Sequence, residues 1–562
     1  EFGSVEPTVE EAREAIMLLE ESYINERLDH LGIVAGVCQE IGLASWLDAQ
    51  EPEKRQQVSV GTATVAMVLN GLGFSNRQLY LVPQFFANKP VEHLLGPGIT
   101  AEMLNDDCLG RTLDWLYAHD LTKLFAGIAS RARQIFGITA KQVHIDTTSF
   151  SVSGEYARAE GDDATVIAIT YGYSRDHRED LKQWMLALAT THDGDIPLFM
   201  QPLDGNSSDK VGLIAAIMGI QRQLREADGE ASVYVADNGV YSETNITQLN
   251  QAGVKWVSRV SETLSEAKAI VQEGSETWQQ SADGTIHWFS RELTLPQGRE
   301  RWVVVYTQSS LQRAQQTLQR QVSKAQTTWE QKCWHLGNRR FACEADAREA
   351  FERELKGKPT WLDIHSDLVA HPQYEGRGRP RKASPAASHQ WQIVATVSVN
   401  QKQVEREAFR KACWIVGTNV LEQAHLSDQQ LISTYKDQGG AERGFRFLKD
   451  PLFLASSVFV KKPERIMALG FIMVLCLLVY RLAEVRVRSR LVETAQTIPD
   501  QVHKPTARPT MRWIFQCFEG IELLHVRTAA TSLILVLRLQ PVHRLILQLL
   551  GPLYEQIYTP SG

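Results

Sequence analysis

The stretch YKDQGGAERGFRFLKDP, Tyr435 to Pro451, constrains what this chain can fold into more than any other. It sets Tyr435, Gln438, Glu442 and Lys449 at successive offsets of three, four and seven. Those offsets return to one face of a helix with 3.6 residues per turn. Arg446, four residues after Glu442, joins that face, and Arg443 adds a further cation beside it. Phe445, Leu448 and the apolar run after Leu452 are left to pack elsewhere. One carboxylate among cations on a single stripe suits a metal-bound phosphodiester, the acid for the metal, Arg and Lys for phosphate. The same spacing also describes an amphipathic helix with solvated i,i+4 ion pairs. Gly439-Gly440 interrupts the stripe, and each glycine costs roughly 1 kcal/mol in a helix interior. A helix that starts only at Gly440 leaves Tyr435 and Gln438 on a preceding turn.

A chain of 562 residues is too long for one core, so several domains are expected. The net charge of −7 does not announce a nucleic-acid binder, but it is unevenly placed. From Lys461 onward there are 13 Lys/Arg against 7 Asp/Glu, a net of +6, so the preceding residues carry −13. A basic C-terminal part on an acidic body permits a DNA-facing surface. The seven cysteines form no CxxC pair, which indicates neither a zinc ribbon nor a disulfide framework. They read as reduced thiols in a cytoplasmic protein. The acidic opening, with Glu1, Glu6, Glu10 and Glu11, carries no visible secretory signal. The longest apolar run, Ile466 to Tyr480, has 15 residues and falls short of a span of about 20, so a buried helix is expected there.

Residues 8–135 read as helical, with candidates at Glu10–Glu21, His30–Ile41, Gly61–Leu72 and Leu113–Phe136. At residue 141 the pattern changes to strands: Gln142–Thr148, Thr165–Tyr173, Trp184–Thr191 and Ile196–Pro202, the early ones forming an antiparallel meander. A helix from about Asp209, a strand Ser232–Ala236, a helix Ser242–Ala252 and a strand Lys255–Val260 follow, an α/β order. Residues 261–426 read as a β-rich insertion with one polar helix, Ser310–Thr328. The α/β body resumes at Ser427 and reaches an apolar helix over 464–485. A Pro-punctuated linker, Ile498–Pro509, then leads to an apolar and basic last segment.

Asp146 in HIDTT and Asp237 in VADNG each close an apolar strand, where ligand groups commonly sit in open α/β sheets. An Asp after a strand also caps helices and makes turns. Two such Asp and one helical Glu can hold a pair of divalent cations roughly 3.5–4 Å apart, the arrangement behind in-line phosphoryl displacement. Oxygen-only ligands suit Mg²⁺ or Mn²⁺ rather than zinc.

Five segments together resemble bacterial insertion-sequence transposases of the DDE class: HIDTTSFSVSGEY, GYSRDHREDLKQW, DGNSSD, VADNGVYSETNI and YKDQGGAERGFRFLKDP. The branch they resemble carries a Tyr-Arg-Glu-Lys signature, and the likeness runs through nearly the whole chain. It implies an α/β RNase H-like catalytic core interrupted by a β-rich insertion domain, with an N-terminal all-helical domain and a helical C-terminal region. The expected domains are 1–138 for end binding or dimerisation, 139–260 and 427–497 for the two core parts, 261–426 for the insertion, and 498–562. Asp146, Asp237 and Glu442 are then the metal-binding triad, loaded with two Mg²⁺ or Mn²⁺ ions. The partners implied are double-stranded DNA, as transposon ends and target, and a second copy in a homodimer. Action on DNA places such a protein at the nucleoid. Family members cleave DNA at element ends and join the freed 3′-OH to a target, many through a hairpin. Gln438 departs from the signature, where Arg is expected; it can hydrogen-bond a phosphate but supplies no charge. Rival readings are a non-catalytic DNA-binding regulator, an RNase H-fold nuclease without strand transfer, and a scaffold.

Hairpin chemistry needs a base drawn from the duplex and stacked on an aromatic. The resemblance assigns this to an insertion-domain Trp: Trp414 first, 28 residues before Glu442, and Trp391 second. Further DNA contacts are expected from Tyr435, Gln438, Arg443, Arg446 and Lys449, and from Arg175, Arg178 and Lys182 after the second core strand. The loop Arg377, Arg379, Arg381 resembles a minor-groove AT-hook, and reads equally as a solvated basic loop. Neutralising those three arginines should flatten the salt dependence of DNA binding, by up to about one unit of slope for each phosphate no longer neutralised. An unchanged slope in a salt titration would show that the loop does not touch the backbone.

Overall fold

The computed structural model describes residues 23–50, 57–74, 79–156, 166–173, 178–207, 213–214, 216–222, 233–374, 386, 388–437, 439–450, 462–527 and 532–559. The candidate helix Glu10–Glu21 lies outside them. Two compact units result, one of Glu1–Ser258, Leu295–Gly298 and Ser433–Gly562, the other of Arg259–Thr294 and Arg299–Ile432.

The larger unit is built around one helix, Pro463–Glu493. Pro463 at its first turn has no N–H to lose, and every side chain from Ile466 to Glu484 is buried. A helix apolar on all sides has to be enclosed. Helices Leu31–Glu40, Val60–Leu72, Asp106–Ala118, Leu121–Phe136 and Pro541–Leu550 enclose it. At 31 residues it is twice the apolar run seen in the sequence. By length and composition it could cross a membrane, with a mean hydropathy of 2.4 over its most apolar window, but that window is 100% buried within the fold.

The N-terminal region is mainly helical, with two departures. The segment Leu113–Phe136 is two helices, because Asp120 takes a left-handed φ of 60° and caps the second by accepting from the Lys123 amide. Strand β1, Tyr23–Arg27, is legible only in partnership, since it pairs with Glu522–Arg527 from the far end of the chain. The C-terminal region is correspondingly not all helix: Glu522–Arg527 and Ser532–Leu537 form an antiparallel hairpin beside β1.

The sheet of the larger unit comprises β2 (Gln142–Val152), β3 (Lys182–Thr191), β4 (Pro197–Leu203), β5 (Val233–Ala236) and β6 (Lys255–Val260), in the order β4-β3-β2-β5-β6. The first three strands are the expected antiparallel meander, and β5 and β6 run parallel to β2. The strand expected at Thr165–Tyr173 is reduced, among the described residues, to one bridge between Thr170 and Gln183.

The smaller unit holds β7 (Gln279–Gln280), β8 (Ile286–Leu295), β9 (Gly298–Thr307) and β12 (Trp414–Thr418), ordered β12-β9-β8-β7. A separate long ribbon pairs β10 (Leu362–Gln373) with β11 (Ser388–Val399). Helices Ser265–Glu273, Gln308–Gly337, Glu344–Glu354 and Gln401–Ala412 make this unit mixed rather than β-rich. The expected polar helix Ser310–Thr328 lies within Gln308–Gly337; in the other three, hydrophobic positions are sparse, so their helical period hides in polar sequence.

His30 ties the N-terminal helices together. Its Nε2–H donates to the Leu72 carbonyl at 2.8 Å, and its ring stacks on Phe515 at 4.3 Å. Burial drives its pKa down from 6.5 to about 4, although the Leu72 carbonyl works the other way. The unfolded chain therefore binds a proton between pH 6.5 and about 4 that the native state refuses. The contribution is complete above pH 6.5 and is lost as pH falls, on the order of 3 kcal/mol in all. Denaturant midpoints taken across that range should fall with acidification, and His30→Phe should remove this part of the slope.

Candidate active site

Four residues of β2 and four of β5 pair in parallel, ending at Ile145 opposite Ala236. The next residue on each strand is a carboxylate, Asp146 and Asp237. Neighbouring strands lie about 4.8 Å apart, so the pairing sets the two acids side by side. Asp237 does end its strand, as expected. Asp146 does not: β2 runs on to Val152, because β3 pairs with it from Val143 to Val152. Asp146 instead marks the point where the β5 side of β2 stops pairing. Its Oδ1 accepts from the Thr147 amide at 2.7 Å. The Ser258 hydroxyl, from β6, donates to the Asp237 carbonyl at 3.2 Å and ties down the turn after β5.

The organising stretch divides where its glycines predicted. One helix, Asp428–Lys436, ends before them, and a second, Gly439–Leu448, begins with them. Tyr435, buried on the first helix, donates its hydroxyl to Asp237 Oδ1 at 3.0 Å. Gln438, between the helices, lies outside the described residues.

The second helix buries Gly440, Ala441, Gly444, Phe445, Phe447 and Leu448 and leaves Glu442, Arg443 and Arg446 exposed. Three contacts show its course over the sheet. A methyl group at Gly440 would come within 3.4 Å of Thr190 Oγ1, and one at Gly444 within 3.2 Å of Leu188. Lys449 Nζ stands 5.8 Å from the Phe150 ring centre. Thr190 pairs across the sheet with His144, and Leu188 with Asp146. The helix therefore follows β2 in its own direction, over the face that alternation gives to His144, Asp146, Thr148 and Phe150. Glu442 lies between Gly440 and Gly444 on the exposed side of that helix.

Oxygen donors at Asp146, Asp237 and Glu442 are the set that a hard divalent cation prefers. Among the described residues no three His, Cys, Asp or Glu side chains stand close enough to share an ion, so the fold alone does not gather all three.

The other expected contacts divide. Arg446 is exposed and Lys449 half-buried. Arg443 is committed: its Nε and one Nη hold Asp195 at 2.7 and 2.9 Å, and this bond raises its pKa above the ordinary guanidinium value. Arg178 pairs with Asp180 at 2.8 Å, and Lys182 donates to the Glu155 carbonyl. In the smaller unit, Trp414 is a half-buried first residue of β12. Trp391 packs on Leu336, Phe341, Ala350 and Ile393, inside the ribbon's core. Arg175, Arg377, Arg379 and Arg381 lie outside the described residues. Sequence reasoning missed Asp195, since THDGDIP reads as an ordinary turn between strands.

A family model described as "Transposase DDE domain" matches residues 142–479, and one described as a domain of unknown function, DUF4277, matches 23–130. No curated protein matches the chain. Among solved structures, a piggyBac transposase synaptic complex with hairpin DNA is similar at 10% identity, over 87% of this chain and 79% of that one, with a TM-score of 0.36. A Mos1 transposase paired-end complex with the left transposon end is similar at 14% identity, over 37% of this chain and 59% of that one, with a TM-score of 0.15.

The Tyr435 bond to Asp237 joins the helix Asp428–Lys436 to the end of β5. Tyr435→Phe should lower stability by about 1 kcal/mol, the ordinary worth of one hydrogen bond, without altering the fold. Chemical denaturation would read the shift, and a loss near zero would mean that the bond only replaces one made to water.

Proposed function

The chain belongs to the family of DDE-domain transposases, enzymes that cut DNA and join the cut strand elsewhere, and from that premise we propose that it binds the terminal inverted repeats of its own element and moves it by cut and paste. Asp146, Asp237 and Glu442 are the catalytic acids of this reading. They would hold two Mg²⁺ or Mn²⁺ ions, which when bound supply an activated water and charge stabilisation at the leaving oxygen.

The observation that carries the reading is the register of β2 and β5, which puts Asp146 beside Asp237. Backbone pairing gives no reason for two acids to follow it side by side, whereas a shared cation does. The Tyr435 hydroxyl holds one Asp237 oxygen and limits the rotation of that carboxylate. Arg446 and Lys449, on the Glu442 stripe, present positive charge to the phosphates flanking the cut. Gln438 offers a neutral hydrogen bond there. The strand order, three antiparallel strands followed by two parallel ones, supports an RNase H-like core.

The remaining roles are assigned by family likeness. Trp414 stacks the base extruded during hairpin formation, and the loop containing Arg377, Arg379 and Arg381 grips DNA. The helical N-terminal domain binds ends. Two copies bring two ends together as a homodimer, each able to act on the end held by the other.

Glu442→Gln should abolish cleavage of end DNA while leaving its binding intact, because Glu442 is exposed and carries none of the helix packing. Cleavage and gel-shift measurements on the same end fragment separate the two. Loss of binding together with cleavage would make Glu442 structural, and cut ends without joined product would make the protein a nuclease.

A further inference from the structure

We propose that Asp195 is a positioning residue for the reaction: through Arg443 it sets where the first turn of the Gly439–Leu448 helix, and with it Glu442, stands over the sheet. This rests on Glu442 being a metal ligand, as proposed above.

The helix that carries Glu442 needs such a restraint. It is ten residues long and opens on two glycines, each roughly 1 kcal/mol worse than alanine in a helix. Glu442 sits in that weak first turn, one residue before Arg443. The Arg443 guanidinium makes a two-pronged bond to Asp195, at 2.7 and 2.9 Å, which fixes direction as well as distance.

The carboxylate it meets is itself held. Asp195 lies in the turn between β3 and β4 with a left-handed φ of 55°, and its side chain is 8% exposed against 51% for Arg443. Arg481, from the central core helix, approaches the same carboxylate at 3.6 Å and pairs with buried Glu484 at 2.6 Å. Asp195 thus links the Glu442 helix to the most deeply buried helix of the unit.

Gly440 shows how tightly the first turn is seated. A methyl group there would fall 2.4 Å from Asp195 Oδ1, so only glycine lets the helix approach this carboxylate. An alanine, normally the better helix former, would push Asp195 or the helix away. Glycine at this position serves proximity to Asp195 at the expense of helix propensity.

The test uses the full chain without DNA, titrated with Mn²⁺ and followed by electron paramagnetic resonance, alongside cleavage and binding of an end fragment. Asp195→Asn keeps the shape and removes the charge. It should weaken Mn²⁺ binding by about tenfold and slow cleavage comparably, in the range of lost outer-shell partners of metal ligands. End-DNA affinity should stay unchanged. Arg443→Gln should weaken Mn²⁺ binding and slow cleavage alike, and the double variant should lose no more of either than each single one, as expected of two halves of one contact. Unchanged Mn²⁺ affinity in Asp195→Asn, or losses that add in the double variant, would overturn the proposal. Should Asp195→Asn not fold, Arg443→Lys keeps the charge without the fork; wild-type Mn²⁺ affinity in that variant would equally overturn it. Glu442→Gln separates the two levels: if it binds Mn²⁺ and cleaves as wild type does, the assignment of Glu442 itself fails. If Glu442→Gln loses both while Asp195→Asn keeps both, only the role of Asp195 fails.

Discussion

The parallel pairing of Gln142–Ile145 with Val233–Ala236 is the constraint on which the proposed site depends. It brings together two acids that are far apart in the chain and puts them where backbone pairing between the two strands ends. A slip of one residue would turn every side chain of a strand to the opposite face and take one carboxylate away from its partner. The register is therefore worth protecting. β3 pairs along β2 from Val143 to Val152, and β6 pairs along all of β5. The strand bearing Asp146 is held on both sides, and Asp237 follows a strand that is as well.

The third acid is delivered differently. Strand pairing can set Asp146 and Asp237 with the precision of a ladder, but Glu442 rides on a short helix laid over the sheet. Such a helix is positioned by packing and by its few polar ties. Gly444 lets it settle between Leu188 and Leu477, Phe445 and Leu448 are buried beneath it, and Arg443 reaches Asp195. The central helix Pro463–Glu493 underlies all this, because its buried length supplies both Leu477 and the Arg481–Glu484 pair. Family membership adds that the protein is a DDE-domain transposase, an enzyme that cuts and joins DNA.

The sequence was readable wherever burial is periodic and local. Lys255–Val260 is a strand as expected, and the break between the two helices of the organising stretch falls at the glycines. Asp146 and Asp237 stand out as acids that follow apolar runs. Reading failed where the partner is remote. Tyr23–Arg27 became a strand because Glu522–Arg527 lies beside it, and nothing within five residues of either reports the other. Of the helices of the smaller unit only the one over Ser310–Thr328 was legible; the other three were hidden because their exposed faces outnumber their buried ones. The partner of Arg443, Asp195, lies 248 positions away and leaves no local trace either.

Chain order and residue chemistry alone determined what the proposed site is made from: three oxygen acids, a cationic stripe, and the motif set of a transposase family. Those are properties of side chains and short spacings, and they survive without knowledge of the fold. Tertiary structure decided which of these groups meet. It set Asp146 beside Asp237 through strand register, gave the Tyr435 hydroxyl to Asp237, and spent Arg443 on Asp195. Each of those contacts joins residues about ninety or more positions apart, and the free energy that selects them comes from burying the whole core around one helix. No local pattern encodes that choice.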